Sequence, residues 1–223
     1  MSVAMIIPTL NEIDGMKQIM PQVNQNWVDE IIVVDGGSTD GTIEEAKKLG
    51  LRIIHQHSRG VGDAYRLGIE ATECEYILLF NPDGNHEVKD IPILIKKALE
   101  GYEVVHINRF GKTSQSKDPG IITGFGNRMF TFLVNVFFGG HFGDCLDGFK
   151  ILRKSAIFEM KLDALRENFE QQVCIRVLKQ NKKIFEIDGN EPKRIGGERK
   201  MDPLYTGYQL SKQIVKEFIF WRF

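Results

Sequence analysis

The sequence predicts an α/β protein with a mostly parallel sheet and helices on both faces. Short apolar runs with the length of buried strands alternate with helical patterns through the first hundred residues. Continuous apolar strands of this kind are typical of a parallel sheet that is covered on both sides. Polar or glycine-rich residues come directly after each of the first four strands, where such a sheet binds its ligands. We therefore expect a binding site along one edge of the sheet.

Five strands and four helices are predicted in the first half of the chain. The strands are 3–7, 31–34, 51–54, 76–80 and 102–107, and the helices between them are 14–25, 42–50, 63–72 and 88–100. Pro92 lies near the start of the fourth helix, where its missing N–H costs little. This order is that of repeated strand–helix–strand units.

In the second half of the chain the regular alternation of predicted strands and helices ends. Residues 110–120 are polar and contain glycine and proline, which indicates a loop. A helix at 121–138 and a turn-rich segment at 139–149 follow, and a short strand or turn then leads into a helix near 154–160. The remaining predicted elements are a helix at 167–180, a strand at 183–188, a basic loop at 189–203 and a last helix at 204–222.

Composition narrows the class of protein. Hydrophobic residues make up 42% and charged residues 26% of the 223 positions, which excludes a disordered or fibrous chain. The three cysteines form no CxxC pair, so neither a disulfide framework nor a zinc site is predicted, and a reducing, cytoplasmic setting is expected. We see no signal peptide and no apolar run of the roughly 18 residues that span a bilayer.

Charge is unevenly distributed along the chain. The net charge is −1, but the first hundred residues carry seven more acidic than basic residues, and the remainder is basic by six. A basic C-terminal half is suited to phosphates or to an anionic membrane, with an uneven but incidental surface charge as the alternative. No nucleic-acid partner is expected.

Four polar segments share the predicted binding edge. They follow the first four strands and comprise residues 8–12, 35–42, 58–62 and 81–85. Any one of them taken alone is adequately explained as a turn, because Gly, Asn and Asp are turn formers. Because the carboxyl ends of parallel strands meet at one edge, four such segments favour a shared pocket.

Three of these segments carry a family resemblance. IIPTLNE at 6–12, VVDGGSTDGT at 33–42 and LLFNPDGN at 78–85 resemble the signature segments of family 2 glycosyltransferases with a GT-A fold. DCLDGFK at 144–150 and RIGGERK at 194–200 are similar to segments of the polyprenyl-phosphate (dolichol-phosphate) sugar synthase branch. The resemblance covers about residues 3–200. It implies one GT-A domain over 1–223, with a donor-binding half at about 1–108, an acceptor-side half at about 109–203 and an amphipathic helix at about 204–222.

The resemblance also implies a donor site. Residues that would contact the nucleotide-sugar are Pro8, Thr9, Glu12, Asp35, Arg59, Gly60, Asn81, Asp83, Arg109, Arg194 and Lys200. The first four would hold the base and ribose, and the basic loop with Arg194 and Lys200 would fold over the diphosphate. Asp83 matches the last Asp of the family's DxD motif and would bind Mg²⁺ or Mn²⁺, which prefer oxygen ligands. Asn81 replaces the first Asp of that motif, so we expect weaker metal binding.

Four residues are candidates for catalysis: Asp83, Arg128, Glu170 and Asp144. Arg128 aligns with an arginine that faces the acceptor phosphate in the resembled branch, and a guanidinium matches two phosphate oxygens. Glu170 or Asp144 would act as the base that deprotonates a sugar hydroxyl. A phosphate monoester acceptor needs no strong base because it is already ionised, so Asp83 and Arg128 are preferred.

Three functions remain open from the sequence. The preferred one is inverting transfer from a UDP- or GDP-sugar to a polyprenyl phosphate; the second is transfer to a saccharide hydroxyl in surface glycan synthesis. The third, motivated by Asn81, is a non-catalytic sugar-nucleotide-binding protein. The QxxRW segment of processive enzymes is absent, so a long polymer product is not expected. Aromatic residues beside lysines in the last helix indicate peripheral contact with the inner face of the membrane. The alternative is a terminal helix that packs on its own domain or on a second subunit of a homodimer.

Overall fold

The protein is described here from a computed structural model that covers residues 2–116, 120–196 and 201–220. It contains seven strands: β1 Val3–Thr9, β2 Glu30–Asp35, β3 Arg52–His55, β4 Tyr76–Leu79, β5 Val104–Asn108, β6 Lys150–Arg153 and β7 Ile184–Asp188. The helices are α1 Ile13–Gln18, α2 Thr42–Lys48, α3 Val61–Glu70, α4 Ile91–Leu99, α5 Ile121–Phe138, α6 Lys154–Met160, α7 Asn168–Lys179 and α8 Pro203–Ile219.

All seven strands form one sheet, in the order β3-β2-β1-β4-β6-β5-β7. The pairs β1–β2, β1–β4, β2–β3 and β5–β7 are parallel, whereas β6 is antiparallel to both β4 and β5. The predicted α/β class with a mostly parallel sheet is therefore confirmed. The uncertain "short strand or turn" before residue 154 is β6, which lies in the middle of the sheet.

Helices cover both faces of the sheet because its strands are apolar on both sides. Along β1, Val3, Met5 and Ile7 belong to a core that includes residues of α1, α2 and α4. The alternate residues Ala4 and Ile6 belong to a second core with residues of α3, α6 and α7. Alternation along a strand sends successive side chains to opposite faces, so continuous apolar runs produce two cores.

A third apolar cluster joins α5, α7 and α8 beyond the sheet. Phe130 and Val134 of α5 pack with Ile175 of α7 and with Leu210 and Ile214 of α8. Helix α5 ends at Gly139, whose φ of 71° places it in the left-handed region that glycine adopts without strain. The cluster includes the terminal helix α8, and its assignment to an acceptor side stays a prediction.

One predicted helix was too long. The expected helix at 14–25 is α1, which ends at Gln18 and is followed by two short 3₁₀ turns at Met20–Gln22 and Gln25–Trp27. Pro21 lies in the first of these turns, and it cannot continue an α-helix because it lacks the N–H donor. Within the described ranges, every helix is too short or too polar to span a bilayer.

Candidate functional site

The strand ends enclose a cavity of about 570 Å³ at the carboxyl edge of the sheet. Its lining comes from the segments after β1 to β4 and from two later segments: Pro8, Thr9, Leu10, Glu12, Gly36, Gly37, Gln56, Ser58, Arg59, Gly60, Val61, Ala64, Asn81, Pro82, Asp83, Arg166, Glu167 and Arg194. We call it the larger cavity. Eight of the predicted donor-site residues thus line one space, as the position of parallel strand ends requires.

Asp35 lies beneath the larger cavity and is not part of its lining. Its carboxylate is fully buried and accepts hydrogen bonds from the backbone N–H groups of Gly37 and Ser38, each at 2.9 Å. The hydroxyl of Thr9 donates to the same carboxylate at 3.1 Å. Asp35 therefore fixes the loop after β2, and the loop backbone faces the cavity.

The loops after β1 and β2 are joined by reciprocal hydrogen bonds. Asn11 donates its N–H to the Ser38 hydroxyl at 2.8 Å, and its side-chain oxygen accepts from the N–H of Thr39 at 2.8 Å. Asn11 has a φ of 55°, a left-handed conformation that asparagine tolerates better than most residues. These bonds hold the two strand ends together as one wall of the larger cavity.

On the opposite wall of the larger cavity, Gly60 allows the start of α3 to pack closely against the backbone of Leu165. Its φ is 123°, and a Cβ at this position would lie 2.1 Å from the carbonyl oxygen of Leu165. A side chain here would force the start of α3 away from the segment before α7. Arg59, the exposed neighbour of Gly60, lines the larger cavity as predicted.

Asp83 shares an arginine with Glu12. The Nη2 of Arg194 donates to Asp83 Oδ2 at 2.7 Å, and its Nη1 lies 3.1 and 3.2 Å from the two oxygens of Glu12. The backbone supports this contact, since the N–H of Ile195 donates to the Asp83 carbonyl at 2.7 Å. Two predicted donor-site carboxylates are thus bridged by a guanidinium from the basic loop. Lys200 lies outside the described residues.

A divalent metal would find oxygen ligands at this place. Asp83 offers a buried carboxylate, and the side-chain amide of Asn81 lines the same cavity. Mg²⁺ is commonly held by one or two carboxylates together with substrate phosphates, so this donor set fits such an ion when a diphosphate is present. No cluster of three or more His, Cys, Asp or Glu side chains that could hold a metal occurs in the described part of the chain.

A smaller cavity of about 210 Å³ adjoins the larger one. Four residues line both: Val61, Asn81, Asp83 and Glu167. The remaining wall of the smaller cavity comes from helices α3, α5, α7 and α8, from the segments after β4, β5 and β7, and from the segments before β6 and α8. Its residues are Tyr65, Asn85, His86, Arg109, Thr123, Asn127, Leu146, Gly148, Glu170, Glu191, Met201, Thr206 and Leu210. Asn81 and Asp83 therefore stand at the junction of the two cavities.

Arg109 organises the wall of the smaller cavity. Its Nε lies 2.6 Å from Asp144 Oδ2 and 3.1 Å from Asp147 Oδ2, and its Nη1 lies 3.0 Å from Glu191 Oε1. Burial acts to lower the pKa of Arg109, but these carboxylates raise it well above its usual value. Asp144 is fully buried and accepts two hydrogen bonds from Arg109, so as a candidate base it lies behind the cavity wall and does not line it.

Asp147 connects Arg109 to a buried histidine. Its Oδ1 lies 3.4 Å from His86 Nε2. Burial acts to raise the pKa of Asp147, but the charges of Arg109 and His86 lower it well below its usual range. Conversely, burial acts to lower the pKa of His86, and Asp147 raises it above its usual value. His86 stacks on Phe149 at 4.8 Å between ring centres, and its ring lines the smaller cavity.

Glu170 forms a buried ion pair with Lys150. The Lys150 Nζ lies 2.6 Å from Glu170 Oε2, and the lysine is fully buried. Burial raises the pKa of Glu170, and the lysine charge only partly opposes this. Burial acts to lower the pKa of Lys150, but Glu170 raises it, so the lysine stays charged near neutral pH. Glu170 lines the smaller cavity, as a catalytic base would.

Arg128 does not line either cavity. It is exposed on α5, where its guanidinium carbon lies 4.9 Å from the centre of the Phe110 ring. One helical position earlier, Asn127 lines the smaller cavity. Helix α5 thus contributes to the wall of the smaller cavity, but the Arg128 side chain is exposed outside it, and its role toward an acceptor phosphate stays a prediction.

Sequence reasoning passed over three residues of this site. Lys150 and Asp147 lie in the DCLDGFK segment, and His86 follows the fourth strand, but none of the three was assigned a role. Their signal was a charged residue inside an otherwise apolar strand and an imidazole directly after a strand end. The contact partners of these residues lie in distant parts of the chain, so the pairing could not be predicted from local sequence.

Two adjoining cavities thus meet at the carboxyl ends of the strands, where a parallel α/β sheet binds its ligands. Residues 4–160 match the family model described as glycosyl transferase family 2, which is more than half of the chain. The protein belongs to this family and is a glycosyltransferase.

Relatives support this assignment. The chain is 26% identical over 211 residues to glycosyltransferase AglJ of Haloferax volcanii, covering 92% of this chain and 68% of that one. It is 25% identical over 215 residues to the dolichyl-phosphate hexose transferase of the same organism, covering 96% and 92%. It is 24% identical to the UDP-N-acetylglucosamine--dolichyl-phosphate N-acetylglucosaminyltransferase of Methanococcus voltae, covering 93% and 88%.

Solved structures share the fold. Glucosyl-3-phosphoglycerate synthase of Mycobacterium tuberculosis, crystallised with Mn²⁺, UDP and phosphoglyceric acid, superposes with a TM-score of 0.77 at 20% identity, over 99% of this chain and 80% of that one. This similarity confirms the GT-A fold that the sequence motifs implied.

Proposed function

We propose that this protein transfers a sugar, with inversion, from a UDP- or GDP-linked donor to a polyprenyl phosphate. The observation that carries the proposal is that the two cavities share Asn81 and Asp83. A sugar bound at this junction would be open to attack from the smaller cavity while its nucleotide occupied the larger one. Inversion follows from such an arrangement, because nucleophile and leaving group lie on opposite sides of the anomeric carbon.

The larger cavity suits the nucleotide. Its volume of about 570 Å³ is within the size range of small-molecule sites, and Thr9, Glu12 and the loop backbone at Gly36 and Gly37 offer hydrogen-bonding groups. Arg59 and Arg194 supply positive charge for the diphosphate. When bound, a divalent ion held by Asp83 would neutralise charge on the departing nucleoside diphosphate.

The smaller cavity suits an acceptor that needs orientation more than activation. An ionised phosphate is already a nucleophile, so positioning and charge neutralisation would carry the catalysis. Arg109 lines the cavity with a guanidinium and His86 lines it with an imidazole whose pKa Asp147 raises, and Asp147 contacts both side chains. Two relatives are named for transfer to dolichyl phosphate, which favours this acceptor class.

A saccharide hydroxyl is the second candidate acceptor. Glu170 favours it, because this buried carboxylate lines the smaller cavity and its pKa is raised by burial toward the range in which a carboxylate is an effective base. In that case Lys150 would hold the Glu170 side chain in position.

Glu170→Gln separates the two acceptors. We expect E170Q to retain transfer to a short, water-soluble isoprenyl phosphate within about threefold, and to lose transfer to a saccharide by about 100-fold or more, since general base catalysis contributes that much. Product formation is measured with each acceptor. Circular dichroism checks that E170Q stays folded, because the substitution leaves the buried Lys150 without its ion-pair partner. Loss of transfer to the phosphate acceptor in a folded E170Q would contradict the proposal.

The donor nucleotide is identified by calorimetric titration. UDP and GDP are each titrated into the protein with and without Mn²⁺. We expect one of them to bind, more tightly with the metal. If neither binds under any condition, the proposed donor site is wrong, and Asn81 would mark a pocket that has lost its function.

A further inference from the structure

Three polar side chains converge above Gly148, which lies in the segment before β6. A Cβ at this position would lie 3.3 Å from Tyr65 Oη, 3.5 Å from Asn81 Nδ2 and 3.6 Å from Glu170 Oε1. All four residues line the smaller cavity, and Asn81 lines the larger one as well. We call the three side chains the junction cluster. The absence of a side chain at Gly148 leaves them free to approach one another.

Two members of the junction cluster are fixed from the side of the protein interior. Tyr65 is 1% exposed, and its ring packs against Phe169 at 5.3 Å between ring centres. Glu170 is 5% exposed, and its Oε2 is paired with Lys150 at 2.6 Å. The other carboxylate oxygen, Oε1, is therefore the one that faces the junction of the two cavities.

The chemistry of these neighbours determines which end of the Asn81 amide faces them. An ionised carboxylate only accepts hydrogen bonds, so the amide presents its nitrogen to Glu170. Burial and the charge of Glu170 raise the pKa of Tyr65 well above its usual value, while a hydrogen bond with the Asn81 side chain acts to lower it. The Tyr65 hydroxyl therefore stays protonated near neutral pH. Because the amide nitrogen faces these two groups, the amide oxygen is directed away from them.

The charge at the junction also favours an amide. The carboxylates of Glu170, Asp147 and Asp83 all act on the Tyr65 hydroxyl. Each of the three carboxylates has a paired cation: Lys150 for Glu170, Arg109 for Asp147 and Arg194 for Asp83. A carboxylate at position 81 would add a fourth negative charge beside Glu170 Oε1, and like charges repel. An amide supplies a hydrogen-bond donor there without adding charge.

We propose that Tyr65 and Glu170 are positioning residues for Asn81, and that the junction is built for an amide at this position instead of the carboxylate of the DxD pattern. They hold the amide nitrogen, so the amide oxygen is a neutral ligand beside the Asp83 carboxylate. This inference rests on the proposed donor site, because the metal ion of the bound nucleotide-sugar is what the amide oxygen would contact. Asn81→Asp, which restores the DxD pattern, should then weaken metal binding, whereas the pattern alone predicts that it strengthens metal binding.

A double-mutant cycle without ligand tests the contact between Asn81 and Glu170. Thermal unfolding at neutral pH is compared for the wild type, N81D, E170Q and N81D/E170Q. We expect N81D to lower the unfolding midpoint by about 4 °C in the wild-type background and by less than about 1 °C in the E170Q background, where the like charge is gone. Comparison within each background removes the separate effect of E170Q on Lys150.

Asn26→Asp is the matched control for the added charge. Asn26 is exposed and lines neither cavity, so N26D should leave the unfolding midpoint unchanged in both backgrounds. An equal effect of N81D in the two backgrounds, or no effect in either, would overturn the inference.

Mn²⁺ binding tests the direction of the effect. Affinity is measured by electron paramagnetic resonance in the presence of UDP and, separately, of GDP. We expect N81D to bind Mn²⁺ about fivefold more weakly than the wild type, and Y65F about threefold more weakly, since the loss of one hydrogen bond has an effect of this size. Nucleotide affinity without metal should be unchanged in both variants, which a general disturbance of the fold would not allow.

Tyr102→Phe is the matched control for the lost hydroxyl. Tyr102 is half-buried and lines neither cavity, so Y102F should bind Mn²⁺ as the wild type does. Tighter Mn²⁺ binding by N81D than by the wild type would contradict the inference, and so would wild-type Mn²⁺ affinity in Y65F.

The two measurements separate this inference from the proposed function. If the wild type binds neither UDP nor GDP with Mn²⁺, the proposed donor site is wrong, and the ligand-free cycle still decides whether Glu170 holds Asn81. If the wild type binds Mn²⁺ with a nucleotide and N81D binds it equally well or better, the donor site stands and the positioning role is refuted.

Discussion

The two cavities are built by different means. The larger cavity is formed by loops at the ends of β1 to β4, and most of these loops are fixed by bonds within their own segment or to the neighbouring strand end, as Asp35 fixes Gly37 and Ser38. The smaller cavity is formed by buried charges from distant segments. Arg109 alone contacts Asp144, Asp147 and Glu191, the last of them 82 residues away.

This difference predicts different responses to mutation. A loop bonded within itself can change one side chain without disturbing the others. A network of buried charges is coupled, so removing one member leaves its partner buried and uncompensated. We therefore expect changes in the larger cavity to affect ligand binding more than stability, and changes behind the smaller cavity to affect stability first.

Lys150→Met gives the largest expected effect. It leaves the Glu170 carboxylate buried with no counter-ion, since no other cation in the described ranges lies within ion-pair distance of it. The free energy of unfolding should fall by about 3–5 kcal/mol. Urea titration measures this, and the double variant K150M/E170L should recover most of the loss. If K150M is as stable as the wild type, the region around the smaller cavity does not depend on paired buried charges.

Asp83→Ala tests the other side of the comparison. We expect kcat/KM for sugar transfer to fall by about 100-fold or more, because metal charge stabilisation is worth several kcal/mol, while the free energy of unfolding changes little. Glu73→Ala serves as the control, since this fully exposed carboxylate lies away from both cavities. If D83A unfolds the protein instead, the distinction between the two sides is false.

His106 lies behind the smaller cavity and makes the stability of the fold sensitive to acid. Burial and the nearby Lys150 charge lower the pKa of His106 to about 3, so its 3.3 Å contact with Glu186 involves a neutral imidazole. The unfolded chain binds a proton at this residue below about pH 6.5 and the folded protein does not, so stability is lost as the pH falls from 6.5 toward 3. Between pH 7 and 5 the contribution is about 2 kcal/mol.

His106→Phe removes this titration. The free energy of unfolding of the variant should depend less on pH between 7 and 5 than that of the wild type, with the difference read from denaturant titrations at each pH. Parallel pH profiles for the two proteins would show that other groups cause the acid sensitivity.

Arg194→Gln has the smallest expected effect. Arg194 contacts Asp83 at the junction of the two cavities. Its guanidinium contacts Asp83 and Glu12, so a divalent ion must share or replace this contact. Without nucleotide, we expect R194Q to bind Mn²⁺ about fivefold more tightly than the wild type, as measured by electron paramagnetic resonance. Arg59 lies in the same cavity, and within the described ranges it forms no ion pair with Asp83, so Arg59→Gln should not change Mn²⁺ affinity. Unchanged affinity in R194Q would show that Arg194 and the metal do not compete.

Most of the larger cavity was predictable because its determinants are local. Apolar runs followed by polar segments identify strand ends, and parallel strands bring those ends to one edge. Eight of the predicted donor residues line the larger cavity, although Asp35 lies beneath it and Arg109 belongs to the smaller one. The roles of these residues in binding and catalysis stay predictions.

The smaller cavity was less predictable because its determinants are long-range. Of the candidate catalytic residues, Glu170 lines the smaller cavity, whereas Arg128 is exposed outside it and Asp144 lies behind Arg109; their catalytic roles stay predictions. A position in the sequence does not state which side of a helix faces a cavity, since that depends on what packs against the helix.

The sequence by itself determined the α/β class, the binding edge and the family, because strand burial, turn chemistry and motif spacing are read within short segments. Only the tertiary structure decided that β6 enters the sheet antiparallel between β4 and β5. That placement carries Lys150 into the interior beside Glu170. The physical reason is that a buried charge becomes tolerable only when its partner is within contact distance, and that distance is set by packing between segments far apart in the chain.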